Sequence, residues 1–272
     1  MERVALRVTK AEGIAEVTLV GPGRGNALGP AFFRECPEVF AALDRDPDVR
    51  VAILRGAGEH FTYGLDLTAA MAELGPLVAG ENLARGRTEL LRLIGAWQEA
   101  GNSIAACRKP VIAAIHGWCI GGGIDVAAAC DLRLCSREAR FSLREVKVAI
   151  VPDLGALQRL PRIVGEGAAR DLALTGRDVD AAYARSIGLV TEVFDDAAAL
   201  WAGARERARE IAANPPLVVQ GTKQVLAHAS DGEIRDGLRF VAAWNAAFLQ
   251  SLDLAEALSA FAEKRAPRFT GE

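Results

Sequence analysis

Residues 111–126 carry the sequence VIAAIHGWCIGGGIDV, and this stretch decides the fold prediction. Its first five residues form a short apolar run, which is typical of a strand buried on both faces. Three glycines follow at 121–123, and residues 124–130 indicate the start of a helix. A strand, a glycine turn and a helix in this order favour an α/β fold with right-handed crossovers.

The same alternation continues on both sides of this stretch. The patterns predict strands at 4–8, 14–20, 51–55 and 132–135, with a turn at Glu12-Gly13. A helix is predicted from about residue 30 to 46. Residues 66–106 are predicted to be mainly helical, with breaks at Gly75-Pro76 and at Gly80. Strand patterns cease near residue 200, and helices are predicted at 201–213, 216–229, 233–250 and 253–264. We therefore divide the chain into a core, residues 1–198, and a helical C-terminal region, residues 199–272.

Composition limits the classes of function. The chain has 272 residues, 51% of them hydrophobic and 25% charged, with a formal net charge of −3. These values fit a large α/β domain and give no general attraction to nucleic acid or to an anionic membrane. The five cysteines form no CxxC pair, and no Cys/His cluster has metal-ligand spacing. We therefore predict no metal site, no nucleic-acid or membrane partner, and a cytoplasmic protein with reduced thiols and no secretory leader.

The glycine triplet has two interpretations. Its backbone amides, together with the N-terminus of the following helix, are suited to holding a developing negative charge. A tight structural turn without chemistry explains the same pattern equally well. Phosphate-binding loops are rejected, because no Gly-Lys-Ser/Thr follows and the earlier loop Gly21-Pro22-Gly23-Arg24-Gly25 departs from GxGxxG.

Several segments together resemble the crotonase (enoyl-CoA hydratase/isomerase) superfamily over almost the whole chain. They are 25–28, 61–66, 116–131, 141–145 with 158–161, 175–176 with 181–189, and 261–269. The resemblance implies a spiral of ββα turns followed by a helical trimerisation region, in a homotrimer or a dimer of trimers. It also implies that an acyl-CoA thioester binds with its carbonyl oxygen in an oxyanion hole made by the amides of Leu65 and Gly122.

The acidic residues refine this expectation. Family hydratases use two glutamates, whereas this chain has Asp125 and Glu145 at those positions and a third acid at Asp153. The set resembles the Δ3,5-Δ2,4-dienoyl-CoA isomerase branch, which implies isomerisation of a 3,5-dienoyl-CoA in fatty-acid metabolism. Glu145 and Asp153 would transfer protons, and Asp125 would orient a partner. The alternatives are an enoyl-CoA hydratase and a non-catalytic acyl-CoA-binding protein.

Each acid also has a purely structural interpretation. Asp153 could be a helix N-cap, Glu145 a solvated charge beside Arg144 and Lys147, and Asp125 a hydrogen-bond partner within its helix. Coenzyme A enters as part of the substrate, and no other cofactor is expected. By resemblance, Phe261 and Lys264 of the last helix would cover a neighbouring subunit's CoA site. The residues expected to bind substrate or CoA are Arg24, Tyr63, Gly64, Asp66, Gly121, Phe261 and Lys264.

Overall fold

A computed structural model describes residues 3–21, 25–78, 83–228 and 231–270. In this part of the chain nine strands form two sheets. The strands are β1 (Leu6–Ala11), β2 (Ile14–Leu19), β3 (Val51–Gly56), β4 (Val111–Ile115), β5 (Trp118–Ile120), β6 (Leu132–Ser136), β7 (Arg140–Ser142), β8 (Val179–Asp180) and β9 (Glu192–Phe194). The larger sheet has the order β1-β2-β3-β4-β6-β9 and the smaller one the order β5-β7-β8.

The helices lie between and after these strands. They are α1 (Pro30–Arg45), α2 (Leu67–Val78), α3 (Leu83–Ala106), α4 (Gly122–Ala129), α5 (Ala156–Thr175), α6 (Ala181–Ser186), α7 (Ala197–Ala212), α8 (Pro216–His228), α9 (Asp231–Phe248) and α10 (Leu252–Glu263). A short 3₁₀ helix spans Glu145–Val148. None of the described helices is long and apolar enough to cross a membrane.

The larger sheet begins with a hairpin and continues with parallel strands. Glu12 and Gly13 both adopt positive φ angles, 53° and 78°, as a two-residue turn between antiparallel strands requires. β2, β3, β4, β6 and β9 then pair in parallel. Parallel strands need helices on both faces, and alternate residues of β3 and β4 accordingly face two different cores.

The two cores differ in size. Ala52 and Leu54 face the main core with α1 and α3, whereas Val51 and Ile53 face a smaller core that is closed by α7. The connections repeat one unit: β4, β5 and α4 form one turn, and β6, β7 and α5 form the next. The predicted spiral of ββα turns is therefore confirmed.

Two local predictions differ from the structure. Residues 118–120, to which no element was assigned, form β5, which pairs with β7 and bridges to Thr62. The predicted break at Gly75-Pro76 is wrong, because α2 continues to Val78. The other predicted break, Gly80, lies outside the described residues.

The predicted boundary at residue 198 falls in the first turn of α7. This helix packs on the larger sheet through Leu200, Ala204 and Ala208, all fully buried. The remaining helices do not form a separate layer either, since α9 packs against α3 and α5, and α10 packs against the 3₁₀ helix. The division into residues 1–198 and 199–272 remains a prediction, which rests on the change from alternating strand and helix patterns to helical patterns alone.

Candidate active site

Two loops meet beside β5. The loop after β3 follows that strand, since Thr62 donates its amide to the Trp118 carbonyl at 3.0 Å and accepts the Ile120 amide at 3.1 Å. Thr62 is completely buried, and its hydroxyl donates to the Asn26 carbonyl at 2.8 Å. Asn26 in turn donates its side-chain amide to the carbonyls of Ala57 and His60. Buried and fully bonded side chains therefore hold this loop against the glycine triplet.

The backbone amides of Leu65 and Gly122 come together at this point. Leu28 bonds to the carbonyl of Gly64 and to the amide of Asp66, so the Leu65 amide points to the opposite side. A Cβ atom on Gly64 would lie 3.2 Å from the Gly122 nitrogen, and one on Gly122 would lie 3.8 Å from the Leu65 nitrogen. The two amides are thus close neighbours.

Both of these amides are open to an external acceptor. Gly122 is the first residue of α4, so its amide has no acceptor within the helix, and no side chain caps this end. Within the described part of the chain, neither the Leu65 nor the Gly122 amide donates to a protein acceptor. The arrangement can therefore receive an oxygen atom with developing negative charge, as the first interpretation of the triplet requires.

An apolar cavity extends from Leu65. Its walls come from α2, from the segment around the 3₁₀ helix, and from α10. The lining residues are Leu65, Leu67, Ala70, Met71, Leu74, Val148, Ile150, Leu254, Ala257, Leu258 and Phe261. The cavity is narrow, about 20 Å³, and its apolar walls adjoin the residue whose amide is open.

Glu145 lies at the first position of the 3₁₀ helix, beside the glycine triplet. Its Oε1 lies 3.1 Å from the position of a Cβ atom on Gly121, and its Oε2 is buried without a hydrogen-bond partner. Arg144 turns away to Asp178, at 2.8 Å. Burial raises the pKa of Glu145 well above its usual range, and the charges of Asp125 and Asp153 raise it further. Glu145 is therefore not the solvated charge of the alternative interpretation.

Asp125 lies inside α4 and is 2% exposed. Its Oδ1 accepts the amide of Ala156, the first residue of α5, at 2.6 Å, whereas its Oδ2 is buried without a partner. Burial raises the pKa of Asp125 to about 7; the Ala156 amide and the Arg159 charge act in the opposite direction, and the Asp153 charge adds to the rise. The carboxyl group thus caps a neighbouring helix and keeps one oxygen free.

Asp153 accepts a hydrogen bond at 2.7 Å from the side-chain amide of Asn245 on α9. It does not cap α5, because that helix begins at Ala156 and its N-cap residue is Gly155. Burial raises the pKa of Asp153 to about 6, and the Asn245 hydrogen bond limits the rise. Burial thus raises the pKa of all three predicted acids, and the charge of Asp153 raises the pKa of Asp125 and of Glu145.

The other predicted residues divide between loop structure and cavity wall. Asp66 caps α2 through the Ala69 amide at 3.0 Å. The Tyr63 hydroxyl lies 2.8 Å from His60 Nε2, and its ring occupies the space where Gly25 would carry a side chain. Arg24 lies outside the described residues. Lys264 is exposed and ends α10 with a φ of 54°.

Phe261 lies on the last helix, at one end of the apolar cavity. It lines the cavity of its own chain together with Leu65 and is also 67% exposed. The α10 helix packs on the 3₁₀ helix that carries Glu145. The expected cover of a neighbouring subunit's CoA site by Phe261 and Lys264 stays a prediction.

Two buried side-chain amides beside Asp153 were missed by the sequence analysis. Asn245 and Gln98, 2% and 6% exposed, both donate to the segment 151–153. The only signal was a polar side chain on the apolar face of a predicted helix. Among the described residues, no group of three or more His, Cys, Asp or Glu side chains could hold a metal ion.

Comparison with known proteins gives a consistent result. The family described as Enoyl-CoA hydratase/isomerase matches residues 9–272. A peroxisomal Δ3,5-Δ2,4-dienoyl-CoA isomerase of Arabidopsis thaliana is 48% identical over 248 residues, which cover 91% of this chain and 89% of that protein. A mitochondrial Δ3,5-Δ2,4-dienoyl-CoA isomerase of Dictyostelium discoideum is 45% identical, with 94% and 87% covered.

A solved structure extends the likeness to the whole fold. The enoyl-CoA hydratase/isomerase of Pseudoalteromonas atlantica superimposes with a TM-score of 0.85 at 28% identity, and 98% of this chain and 100% of that chain are covered. The prediction of a cytoplasmic location is wrong, since the similar isomerases are peroxisomal and mitochondrial proteins. Five buried free thiols indicate reducing surroundings but do not single out the cytoplasm.

Proposed function

The chain belongs to the enoyl-CoA hydratase/isomerase family, and on that basis we propose that it isomerises a 3,5-dienoyl-CoA to the 2,4-dienoyl-CoA. The reaction removes a proton from C2, beside the thioester, and returns a proton to C6. The two double bonds move one position toward the thioester, and no atom is gained or lost. The similar isomerases from Arabidopsis and Dictyostelium support this assignment.

The observation that carries the proposal is the group of three acids behind the open amides. Asp125, Glu145 and Asp153 come from α4, the 3₁₀ helix and the segment before α5, and burial raises the pKa of each. Two acids are sufficient to hold a water molecule for hydration. A third acid, on a separate segment, supports proton transfer at two different carbon atoms.

Enolate stabilisation is the first requirement of this chemistry. A C–H bond beside a thioester is far too weak an acid for a carboxylate unless the developing oxyanion is stabilised. We assign that role to the amides of Leu65 and Gly122. Each such donor contributes about 10²- to 10³-fold in rate, because it is fixed in advance where the charge develops.

Proton transfer is assigned to Asp153 and Glu145. Asp153 receives an N–H hydrogen bond that favours its ionised form, so we assign it the role of proton acceptor. Glu145 has a buried oxygen without a partner and favours the protonated form, so we assign it the role of proton donor. Asp125 orients the start of α5 through the Ala156 amide, and its charge keeps Glu145 protonated.

Substrate binding and assembly complete the proposal. The phosphates of coenzyme A would meet Arg24 and Lys264, and Phe261 would cover the thioester end of the cavity. A homotrimer or dimer of trimers would bury large apolar side chains that are exposed on the helices of the C-terminal region. These are Leu217, Val218, Val225, Leu226, Phe240, Trp244 and Phe248. An exposed apolar surface of this extent is typical of a subunit interface.

A direct assay tests the proposed reaction. The purified chain is given a 3,5-dienoyl-CoA and, separately, a 2-trans-enoyl-CoA, and the product is followed by absorbance and mass. We expect isomerisation to be the faster reaction. Glu145→Gln and Asp153→Asn should each reduce it by about 10²- to 10⁴-fold, since each removes a proton-transfer group.

The matched control is Asp178→Asn. Asp178 pairs with Arg144, next to Glu145 in sequence, but it is solvent-exposed and lies outside the group of buried acids. Its replacement should leave isomerisation within about twofold of wild type. Faster water addition to the 2-trans-enoyl-CoA, or full isomerase activity in both acid variants, would contradict the proposal.

A further inference from the structure

Two buried side-chain amides hold the segment that carries Asp153. Asn245 on α9 donates to the carbonyl of Val151 at 2.8 Å and to Oδ2 of Asp153 at 2.7 Å. Gln98 on α3 donates to the main-chain carbonyl of Asp153 at 2.8 Å and to that of Leu238 at 3.0 Å. Both side chains thus support the same segment, but only Asn245 touches the carboxylate.

The partner of Asp153 differs from those of the other two acids. Asp125 also accepts an N–H group with one oxygen, but this group is the main-chain amide of Ala156, and its other oxygen has no partner. Glu145 has a buried oxygen to which no side chain in the described part of the chain donates. An N–H donor stabilises the ionised form of a carboxyl group. Asn245 is thus a side-chain donor that favours ionisation of Asp153 over ionisation of Glu145.

We propose that Asn245 is a positioning residue that keeps the Asp153 carboxylate ionised and oriented toward the substrate, so that Asp153 begins each turnover as the proton acceptor. The inference rests on the proposed function, because it concerns the ionisation of an acid of that same site. Helix α9 would then contribute to the reaction through Asn245 as well as packing against α3 and α5.

The charged groups near Asp153 come from three elements. Asp125 lies on α4 and Glu145 on the 3₁₀ helix, and the charge of Asp153 raises the pKa of both. The charge of Arg159 on α5 lowers the pKa of Asp125. Burial raises the pKa of Asp153 to about 6, and the Asn245 hydrogen bond limits that rise. Loss of this donor should therefore move the titration of Asp153 toward neutral pH.

The test compares two buried amides of the same segment. Asn245→Leu removes both hydrogen bonds of Asn245 at similar volume, and Gln98→Leu does the same for Gln98. We expect the acid limb of the plot of kcat/KM against pH to shift by about one unit to higher pH in Asn245→Leu. The reason is that the free energy of a charge-assisted hydrogen bond corresponds to a pKa change of about one unit. Gln98→Leu should lower stability similarly but leave the limb in place.

A second variant and a second measurement protect the test against loss of folding. Asn245→Asp keeps the size of the side chain and places another carboxyl beside Asp153, so the limb should move further up. Carbon-13 NMR of the carboxyl carbons, with Asp153 assigned through its loss in Asp153→Asn, reports the same titration without substrate.

The outcomes separate the inference from the proposed function. A wild-type protein without isomerase activity would refute the function, while the NMR titration would still decide on Asn245. An active wild type whose acid limb and Asp153 titration are unchanged in Asn245→Leu would overturn the inference. Equal shifts in Asn245→Leu and Gln98→Leu would overturn it as well, because they would reflect a general loosening of the segment.

Discussion

Replacing Gly64 with alanine should disable the site while the chain still folds. Gly64 has a φ of +81°, and a Cβ atom there would lie 2.4 Å from the Ile120 carbonyl oxygen and 3.2 Å from the Gly122 nitrogen. An ordinary contact between carbon and oxygen is about 3.3 to 3.6 Å. The loop must therefore move by about 1 Å away from the glycine triplet, and the Leu65 amide moves with it.

The size of the effect follows from this displacement. A misplacement of about 1 Å at a catalytic group costs on the order of 10²-fold in rate, and complete loss of one oxyanion donor costs about 10²- to 10³-fold. We expect kcat for the dienoyl-CoA to fall by about 10²- to 10³-fold, with a small change in KM. The CoA part of the substrate makes its contacts elsewhere and should bind as before.

Gly58→Ala provides the matched control. Gly58 lies in the same loop with a φ of +64°, but a Cβ atom there meets nothing within 4 Å. Both variants carry the same left-handed backbone strain, about 1 to 2 kcal/mol, and only Gly64→Ala has the clash. Steady-state kinetics at matched folded fractions should show near-normal kcat for Gly58→Ala. Full activity of Gly64→Ala, or equal losses in both variants, would refute the oxyanion role of Leu65.

Two further predictions concern stability. The pKa of Asp153 rises on folding to about 6, so the free energy of unfolding should fall as pH rises from about 4 through 6, by about 3 kcal/mol from this group. Urea unfolding at pH 4.5 and 7.5 measures this fall, and Asp153→Asn should remove the contribution of this carboxyl group to it. The same fall in Asp153→Asn as in the wild type would contradict the assignment. Gly155→Ala should lower the free energy of unfolding by about 1 to 3 kcal/mol, because its φ is +124° and a Cβ atom would lie 1.8 Å from Arg159 Nη1. Gly167 lies within α5, and a Cβ atom there would meet nothing within 4 Å. Gly167→Ala should therefore leave the free energy of unfolding unchanged or raise it by about 0.5 to 1 kcal/mol. Similar shifts of the melting temperature in both variants would contradict this account.

The fold was predictable where local signals determine the structure. The apolar runs of β3 and β4 are buried on both faces, and the Glu12-Gly13 turn sets the hairpin register through two positive φ angles. β5 was missed because it has three residues and its pairing with β7 and Thr62 is set by distant parts of the chain. A short apolar run before glycines is ambiguous until those partners are known.

The acids were identified by resemblance, but their partners are invisible in the sequence. Asp125 meets the Ala156 amide 31 residues away, and Asp153 meets Asn245 across 92 residues. The N-cap interpretation of Asp153 was locally sound, since aspartate precedes a helix there. It fails because α5 begins at Ala156, two residues later than the pattern indicates, with Gly155 as its N-cap residue. The Arg159 side chain packs where a Cβ atom of Gly155 would lie.

The helical C-terminal region takes part in the chemistry as well as in any assembly. Its first helix, α7, covers one face of the larger sheet, and α10 supplies Leu254 and Leu258 to the cavity wall. On α9, neighbouring residues face opposite ways: Asn245 is buried against Asp153, whereas Trp244 is 47% exposed. Helix α9 therefore reaches the proposed site through Asn245 and leaves Trp244 available to the proposed subunit interface.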